Sequence, residues 1–234
     1  MEVSVQLRLQ MPPRRACPTS GDALQPRHER NASAAGVIEL IGFGRWVDGF
    51  ARGRAAGTAK RLLPLLQPED SILDVGAGEG LIAAQLHCGL GGCTVLTDLK
   101  NQVRSGLPLV LCSGEQLPFA DSTFDVVLLL TVLHHTSDPV SIVREAARIA
   151  KRAVIVQEDM YLGRPVDLLV FAADVLCSIP YGYQLPAWPR SPRTWELLFR
   201  AAAVRPDARI IDYWSTGPIR RAGTVIWSLT SSYY

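Results

Sequence analysis

Three glycines at alternate positions close the stretch Ser71-Ile72-Leu73-Asp74-Val75-Gly76-Ala77-Gly78-Glu79-Gly80. A short apolar run leads in, and a helical pattern from Leu81 to His87 leads away. A buried strand, a glycine turn and a helix N-terminus in that order cradle a polar ligand. Without Cβ atoms the backbone can come close to that ligand. Asp98, at the end of the next apolar run, adds a carboxylate able to accept from both hydroxyls of a ribose. Charged hydrogen bonds of this kind contribute roughly 1.5–3 kcal/mol each; the plainer reading is a surface loop acid. His134 and His135 follow a later apolar run, Phe124 to Leu130. An imidazole with an ordinary pKa near ~6.5 suits a base toward a hydroxyl nucleophile. The alternative is that one histidine packs or caps the next helix.

The glycine spacing narrows the ligand. A dinucleotide fingerprint is G-x-G-x-x-G, whereas here Leu81 stands at the third glycine position. A tight strand-to-helix turn alone accounts for one or two glycines and poorly for three preceded by Asp74. No Tyr-x-x-x-Lys pair supports a nicotinamide oxidoreductase.

These residues need elements to hold them. Strands are expected at Ser71–Val75, Cys93–Asp98, Leu109–Cys112, Phe124–Leu130 and Ala153–Gln157, with a helix from Gly80 to His87. Asp138 and Pro139 open another helix, with Val140, Val143, Ala147 and Ala150 on one face. Upstream, Val37–Phe50 and Arg52–Leu66 read as two helices, the first weakened by glycines and the second ended or kinked by Pro64. Downstream, Val166–Cys177 reads as an apolar helix, and Ser191-Pro192 opens one with Trp195, Leu198, Phe199 and Ala202 in helical register. Arg209–Trp214 and Thr224–Leu229 complete the strands as a hairpin-like pair. The alternation predicts an α/β fold with a doubly wound, mostly parallel, seven-stranded sheet. Only about ten residues separate Asp98 from the third strand, whereas a parallel crossover usually takes a dozen or more. The crossover is therefore short, and one sheet face thinly covered.

Composition bounds the rest. The 234 residues suffice for one α/β domain, and 24 basic against 22 acidic side chains give no sign of a nucleic-acid surface. Residues 1–36, rich in Arg, Pro, Ser and Ala, read as a disordered tail, and 37–234 as the domain. A transit peptide is the alternative for the tail, disfavoured by Glu2, Asp22 and Glu29. Cys17, Cys88, Cys93, Cys112 and Cys177 form no C-x-x-C pair and read as reduced, buried thiols of a cytoplasmic protein, with no metal site. No signal peptide is visible. The apolar run Leu168–Cys177, interrupted by Asp174, falls short of the ~20 residues that span a bilayer.

The G-x-G-x-G turn entered by Asp74 resembles the first motif of class I S-adenosylmethionine-dependent methyltransferases. The block Leu117-Pro118-Phe119-Ala120-Asp121-Ser122-Thr123-Phe124-Asp125-Val126-Val127, with Leu130-Thr131-Val132-Leu133-His134-His135, Pro139 and Arg144-Glu145-Ala146-Ala147-Arg148, is similar to the type 11 methyltransferases. That group includes ubiquinone/menaquinone methyltransferase-like proteins. Trp195-Glu196-Leu197-Leu198-Phe199 resembles its penultimate helix. The resemblance implies a Rossmann-like methyltransferase fold with S-adenosylmethionine as cofactor. It implies cofactor contacts from Asp74, Gly76, Ala77, Gly78, Gly80, Asp98 and Leu99. Ser113, Gly114 and Glu115 would border the adenine, and Leu130 and Thr131 the methionine part. The group often has an acid where Ser113 stands. Asp125 reads as structural.

Related enzymes commonly build the acceptor pocket between the fifth strand and the penultimate helix. Residues 160–190 supply Tyr161, Tyr181, Tyr183 and Trp188 there, an apolar or aromatic acceptor site or, as readily, satellite core. The absence of an Asn-Pro-Pro-Tyr-like motif after strand four speaks against amino-group methylation of DNA adenine or glutamine. A carbon or oxygen nucleophile on a small, fairly apolar acceptor is the preferred reading. Positioning supplies on the order of 7–11 kcal/mol in favourable cases, so a dedicated base is optional. The other class of function is a non-catalytic cofactor-binding relative that serves as a scaffold for a partner protein. The surface left by the short crossover is where such a partner would sit.

Overall fold

The structure is a computed structural model that describes residues 43–160, 190–213 and 223–231, with 168, 171, 172, 175 and 185 singly. The expected tail and the expected helix at Val166–Cys177 lie outside the described residues, apart from those single positions. The described elements are α1 (Phe43–Leu62), β1 (Ile72–Val75), α2 (Leu81–Leu90), β2 (Thr94–Asp98), β3 (Leu109–Leu111), β4 (Phe124–Leu130), α3 (Pro139–Ile149), β5 (Ala150–Met160), α4 (Pro192–Ala201), β6 (Val204–Tyr213) and β7 (Gly223–Ser231). Short 3-10 turns occupy Leu63–Leu65 and Leu133–His135.

One seven-stranded sheet runs in the order β3-β2-β1-β4-β5-β7-β6. The first five strands are parallel; β7 pairs antiparallel with both β5 and β6. Strand order turns back at β1, whose neighbours are β2 and β4. Ligands of open α/β sheets bind beyond the carboxyl ends of the strands at such a reversal.

Helices cover both faces, as the alternation predicts. On one, Ala59 and Leu62 of α1 and Leu86 of α2 pack on Ile72, Val126, Leu128, Leu130, Ile155 and Ile226. On the other, Val143, Ala146 and Ile149 of α3 and Trp195 and Phe199 of α4 pack on Leu73, Val75, Leu129, Val156 and Trp227. Both apolar sets alternate along each strand, so every central strand is buried on two sides.

Four expectations need correction. The two upstream helices are one from Phe43 onward: Gly49, Gly53 and Gly57 each cost ~1 kcal/mol against alanine without breaking the backbone ladder. Pro64 marks the 3-10 turn that ends the helix. In α3 the buried stripe is Ile142, Val143, Ala146 and Ile149, while Ala150 already begins β5. Strand β5 continues past the apolar run because β7 pairs with it as far as Met160; the polar Gln157-Glu158-Asp159 hides that extension. Strand β6 starts five residues early, at Val204, and Pro206 sits at a register shift of this edge strand, where its missing N–H is tolerated.

The amino ends of the strands are clamped by ions. The Ser71 hydroxyl and N–H both donate to Asp125 Oδ2, and Lys151 Nζ reaches Oδ1 at 3.1 Å. Burial pushes the Asp125 carboxyl upward, but the bonds from Ser71 and Lys151 outweigh it and hold the group down at about 2. Asp125 is thus structural, as expected. Beside it, Arg152 pairs with the buried Asp70 and donates to Leu65 O.

Cys93 and Cys112 are free and half-buried, and burial pushes both thiols up. Cys88 departs from the expectation of reduced, buried thiols: it is disulfide-bonded, on the exposed side of α2. Cys17 and Cys177 lie outside the described residues. No helix among the described residues is long and apolar enough to cross a membrane.

Candidate cofactor site and histidine pair

The glycine turn leaves β1 at its carboxyl end. Gly76 and Ala77 both donate to Thr97 O, at 2.8 and 3.0 Å, which ties the turn to β2. Gly76 and Gly80 have φ of +71°, the left-handed region that a side chain resists. Space reinforces the choice. A Cβ at Gly76 would lie 2.4 Å from Val132 Cγ2, and one at Gly80 would lie 2.6 Å from Ser105 Oγ.

Asp98 holds the turn from the next strand. Its Oδ2 accepts from Gly78 N–H at 2.8 Å, and its Oδ1 from Lys100 N–H at 3.1 Å. Each oxygen keeps a lone pair for a further donor. Asp98 is buried, which removes the reading of a surface loop acid.

Asp74 lies on β1, buried on the same sheet face as Ile72. Burial, and after it the Asp98 carboxylate, pushes Asp74 up to about 7. The site therefore stores a carboxyl that a cation would ionise.

The short crossover after Asp98 contains no helix in residues 99–108. It lies along the glycine turn instead: Arg104 N–H donates to Glu79 O at 3.0 Å, and its guanidinium meets the Glu79 carboxylate at 3.3 Å. Leu99, beside Asp98, is 70% exposed.

The loop after β3 brings Ser113, Gly114 and Glu115 to the same edge. A Cβ on Gly114 would meet Val75 and Ile142 at 3.3 Å, so the loop rests on the end of β1. Ser113 and Glu115 are exposed, and the Glu115 N–H donates to Ser113 Oγ at 3.2 Å. Behind the loop, Arg148 donates to Phe119 O, Leu117 O, Asp121 and Glu145, while Glu145 accepts from Leu117 N–H.

Strand β4 ends at Leu130, which is buried, and is followed by Thr131, whose φ of +55° is unusual for a β-branched residue. Thr131 N–H donates to Gln157 O at 2.7 Å. That bend throws Val132 onto the glycine turn and leads into the histidines. His134 is buried, and its ring centroid lies 4.2 Å from that of His135. His134 Nδ1 lies 2.5 Å from Glu158 Oε2, and Glu158 Oε1 accepts from Leu133 N–H at 2.8 Å.

The structure thus gathers Asp74, Gly76, Ala77, Gly78, Gly80, Asp98, Leu99, Ser113, Gly114, Glu115, Leu130, Thr131, His134 and His135 along the carboxyl edge of β1 to β4 and their following loops. Tyr161, Tyr181, Tyr183 and Trp188 lie outside the described residues. Sequence reasoning missed Glu158 and Arg104. The signal for Glu158 was a polar run following an apolar strand; for Arg104 there was none.

A family model described as a methyltransferase domain, type 11, matches residues 73–156. That matched stretch holds the glycine turn, Asp98 and the loop after β4. Among curated relatives, an uncharacterized protein of Methanocaldococcus jannaschii is 30% identical over 102 residues, 42% of this chain and 50% of the relative. A demethylmenaquinone methyltransferase of Corynebacterium kroppenstedtii is 37% identical over 98 residues, 40% of this chain and 42% of the relative. The chain thus spans half or less of the length of these relatives. Among solved structures, the methyltransferase complexed with the Haloferax volcanii Trm112 methyltransferase activator aligns with TM-score 0.61 at 19% identity, covering 81% of this chain and 95% of that one. At that identity the likeness is one of fold.

Proposed function

We propose that this chain transfers a methyl group from S-adenosylmethionine to carbon or oxygen of a small, apolar or aromatic acceptor. The observation that carries the reading is Asp98. A buried carboxylate braces the glycine turn through Gly78 N–H at 2.8 Å, at the point where strand order reverses.

The residues present fit that cofactor. Asp98 has lone pairs to accept from the ribose hydroxyls. Asp74 offers a carboxyl to the methionine ammonium. Leu99 gives apolar cover for the adenine beside Ser113, Gly114 and Glu115. Leu130 and Thr131 border the methionine part. When bound, the cofactor supplies a methyl group on a sulfonium, a leaving group already activated. The protein's part is to align the acceptor, which is worth on the order of 7–11 kcal/mol in favourable cases, and to receive its proton. His134 and His135 are the candidates to receive that proton; Tyr161, Tyr181, Tyr183 and Trp188, the acceptor residues expected from the sequence, lie outside the described residues.

Calorimetry with S-adenosylhomocysteine tests the reading. Wild type is expected to bind, and Asp98→Ala and Gly78→Val to bind at least ~10-fold more weakly, the loss of one charged hydrogen bond. Unchanged affinity in both variants would overturn it.

A second reading is a scaffold that binds the cofactor on behalf of a protein partner. It is favoured by β3, a three-residue edge strand with Leu111 exposed, and by the helix-free crossover with Leu99 exposed. The Haloferax volcanii relative is held by an activator protein. A stable heteromeric complex with no turnover would favour this reading over the first.

A further inference from the structure

We propose that Gln157 determines specificity: its buried carboxamide receives a hydroxyl group of the methyl acceptor. The inference rests on the methyl-transfer reading and names the recognised group that this reading leaves open.

Gln157 is the last residue of β5 to pair with β4, and it is 6% exposed. In register it stands beside Leu130 of β4 on one side and Ile226 of β7 on the other. Both neighbours belong to the apolar face that α1 and α2 cover, so the Gln157 side chain projects to that face. The same row leads across the sheet to the glycine turn. Val75 is in register with Thr97 and Leu129, and Leu129 with Val156. The next residues along are Asp98, Gly76, Leu130 and Gln157. Gln157 therefore stands two strands from Gly76, about 10 Å at the usual strand spacing. Leu130, which borders the methionine part in the proposed reading, lies between them. An acceptor that meets the sulfonium over β4 from the β5 side comes up against Gln157.

The backbone of Gln157 is held firmly: its carbonyl accepts from Thr131 N–H at 2.7 Å. The side chain is not. Gln157 Oε1 is buried and has no hydrogen-bond partner. Among the described residues, Thr97 and Trp227 are the other strand residues with such an atom. They pair in register with Val75 and Val156, on the opposite face. Buried polar groups are nearly always satisfied, because one shut away from water and left unpaired destabilises the fold. Gln157 is an unmet hydrogen-bonding group on a rigid strand at the edge where ligands bind.

The donor and acceptor ends of a carboxamide exchange on a half-turn. A hydroxyl both donates and accepts, so it satisfies either orientation; an ammonium only donates and a carboxylate only accepts. A neutral group also suits a position flanked by Leu130 and Ile226, where an unpaired charge is expensive. The acceptor class is an apolar molecule that carries a hydroxyl, such as a phenol.

Phenol and toluene, which differ by hydroxyl against methyl, are the probes. Each is titrated into the full chain saturated with S-adenosylhomocysteine and followed by ligand-observed NMR. Wild type is expected to favour phenol by at least ~10-fold, and Gln157→Leu and the closer-sized Gln157→Met to lose that preference. Both variants are also expected to raise the melting temperature of the free protein by roughly 2–6 °C, because they remove an unsatisfied group. Equal affinity of wild type for the two probes would overturn the proposal, as would an unchanged preference in either variant. A melting temperature that falls in both variants would overturn it too, by showing that the carboxamide is satisfied within the fold. S-adenosylhomocysteine affinity is expected to be the same in wild type and variants; a loss in the variants alone would assign Gln157 to the cofactor and overturn the proposal. No binding by wild type would instead sink the cofactor reading, and the melting temperatures of the free protein would still test Gln157.

Discussion

Val132 occupies the volume that a side chain at position 76 would need: its Cγ2 would lie 2.4 Å from a Cβ built on Gly76. The glycine turn and the loop after β4 thus share one packing surface, and the cradle cannot shift without the histidine turn.

Gly76→Ala is accordingly expected to destabilise the fold by ~2–4 kcal/mol, from the left-handed φ of +71° together with overpacking. Adding Val132→Ala should return the overpacking part and leave the ~1–2 kcal/mol of backbone strain. Denaturant unfolding of the two single variants and the double variant checks this; strictly additive losses would show that the contact is relieved elsewhere.

Asp74 gives a pH dependence whose sign follows from its value of about 7, raised above the ordinary 3.8. Below pH ~4 the carboxyl is neutral folded or unfolded and costs nothing. Between ~4 and ~7 the unfolded chain ionises first, so stability falls as pH rises, by up to ~4 kcal/mol for a change of this size. Asp74→Asn should therefore be more stable than wild type at pH 8 and equal to it near pH 4. The same carboxyl must ionise to pair with a ligand's ammonium. S-adenosylhomocysteine should then bind up to ~10-fold more tightly at pH 8 than at pH 6, with proton release seen by calorimetry in buffers of different ionisation enthalpy.

The clamp at the opposite edge runs the other way. Asp125 is held at about 2, below the ordinary 3.8, so its stabilisation is present above pH ~4 and fades as pH falls toward ~2. Ser71→Ala removes the hydroxyl that both donates to Asp125 and accepts its N–H at 2.9 Å. A loss of ~1.5–3 kcal/mol is expected at pH 7, and a smaller one at pH 2, by denaturant unfolding.

Much of this was legible in the chain. The apolar runs flanked by glycine, proline and aspartate give β1, β2 and β4 within a residue, because parallel central strands are buried on both faces and carry uninterrupted hydrophobic patterns. The same signal fails where pairing rather than burial defines the strand. Residues Glu158 to Met160 are in β5 because β7 lies alongside them, a partner more than sixty residues away in sequence. The candidate site divides in the same manner. Asp74, the glycines and Asp98 are local patterns, whereas Glu158 and Arg104 act on partners brought near only by the fold. The upstream helices merged because the glycines that suggest a break face open space, as at Gly49 and Gly53, and no packing exploits it.

The sheet order has a consequence for assembly. Strand β7 follows β6 in sequence yet lies between β6 and β5. While the chain is being made, β6 therefore has no strand of the sheet to join, and the outer side of β5 stays open, until β7 emerges. The sheet is completed by filling a gap rather than by extending an edge. Long-range pairing of this kind is intrinsically slow and leaves strand edges exposed meanwhile. The five parallel strands that carry the glycine cradle and Glu158 precede that gap, so they are in hand before the last two strands close the sheet.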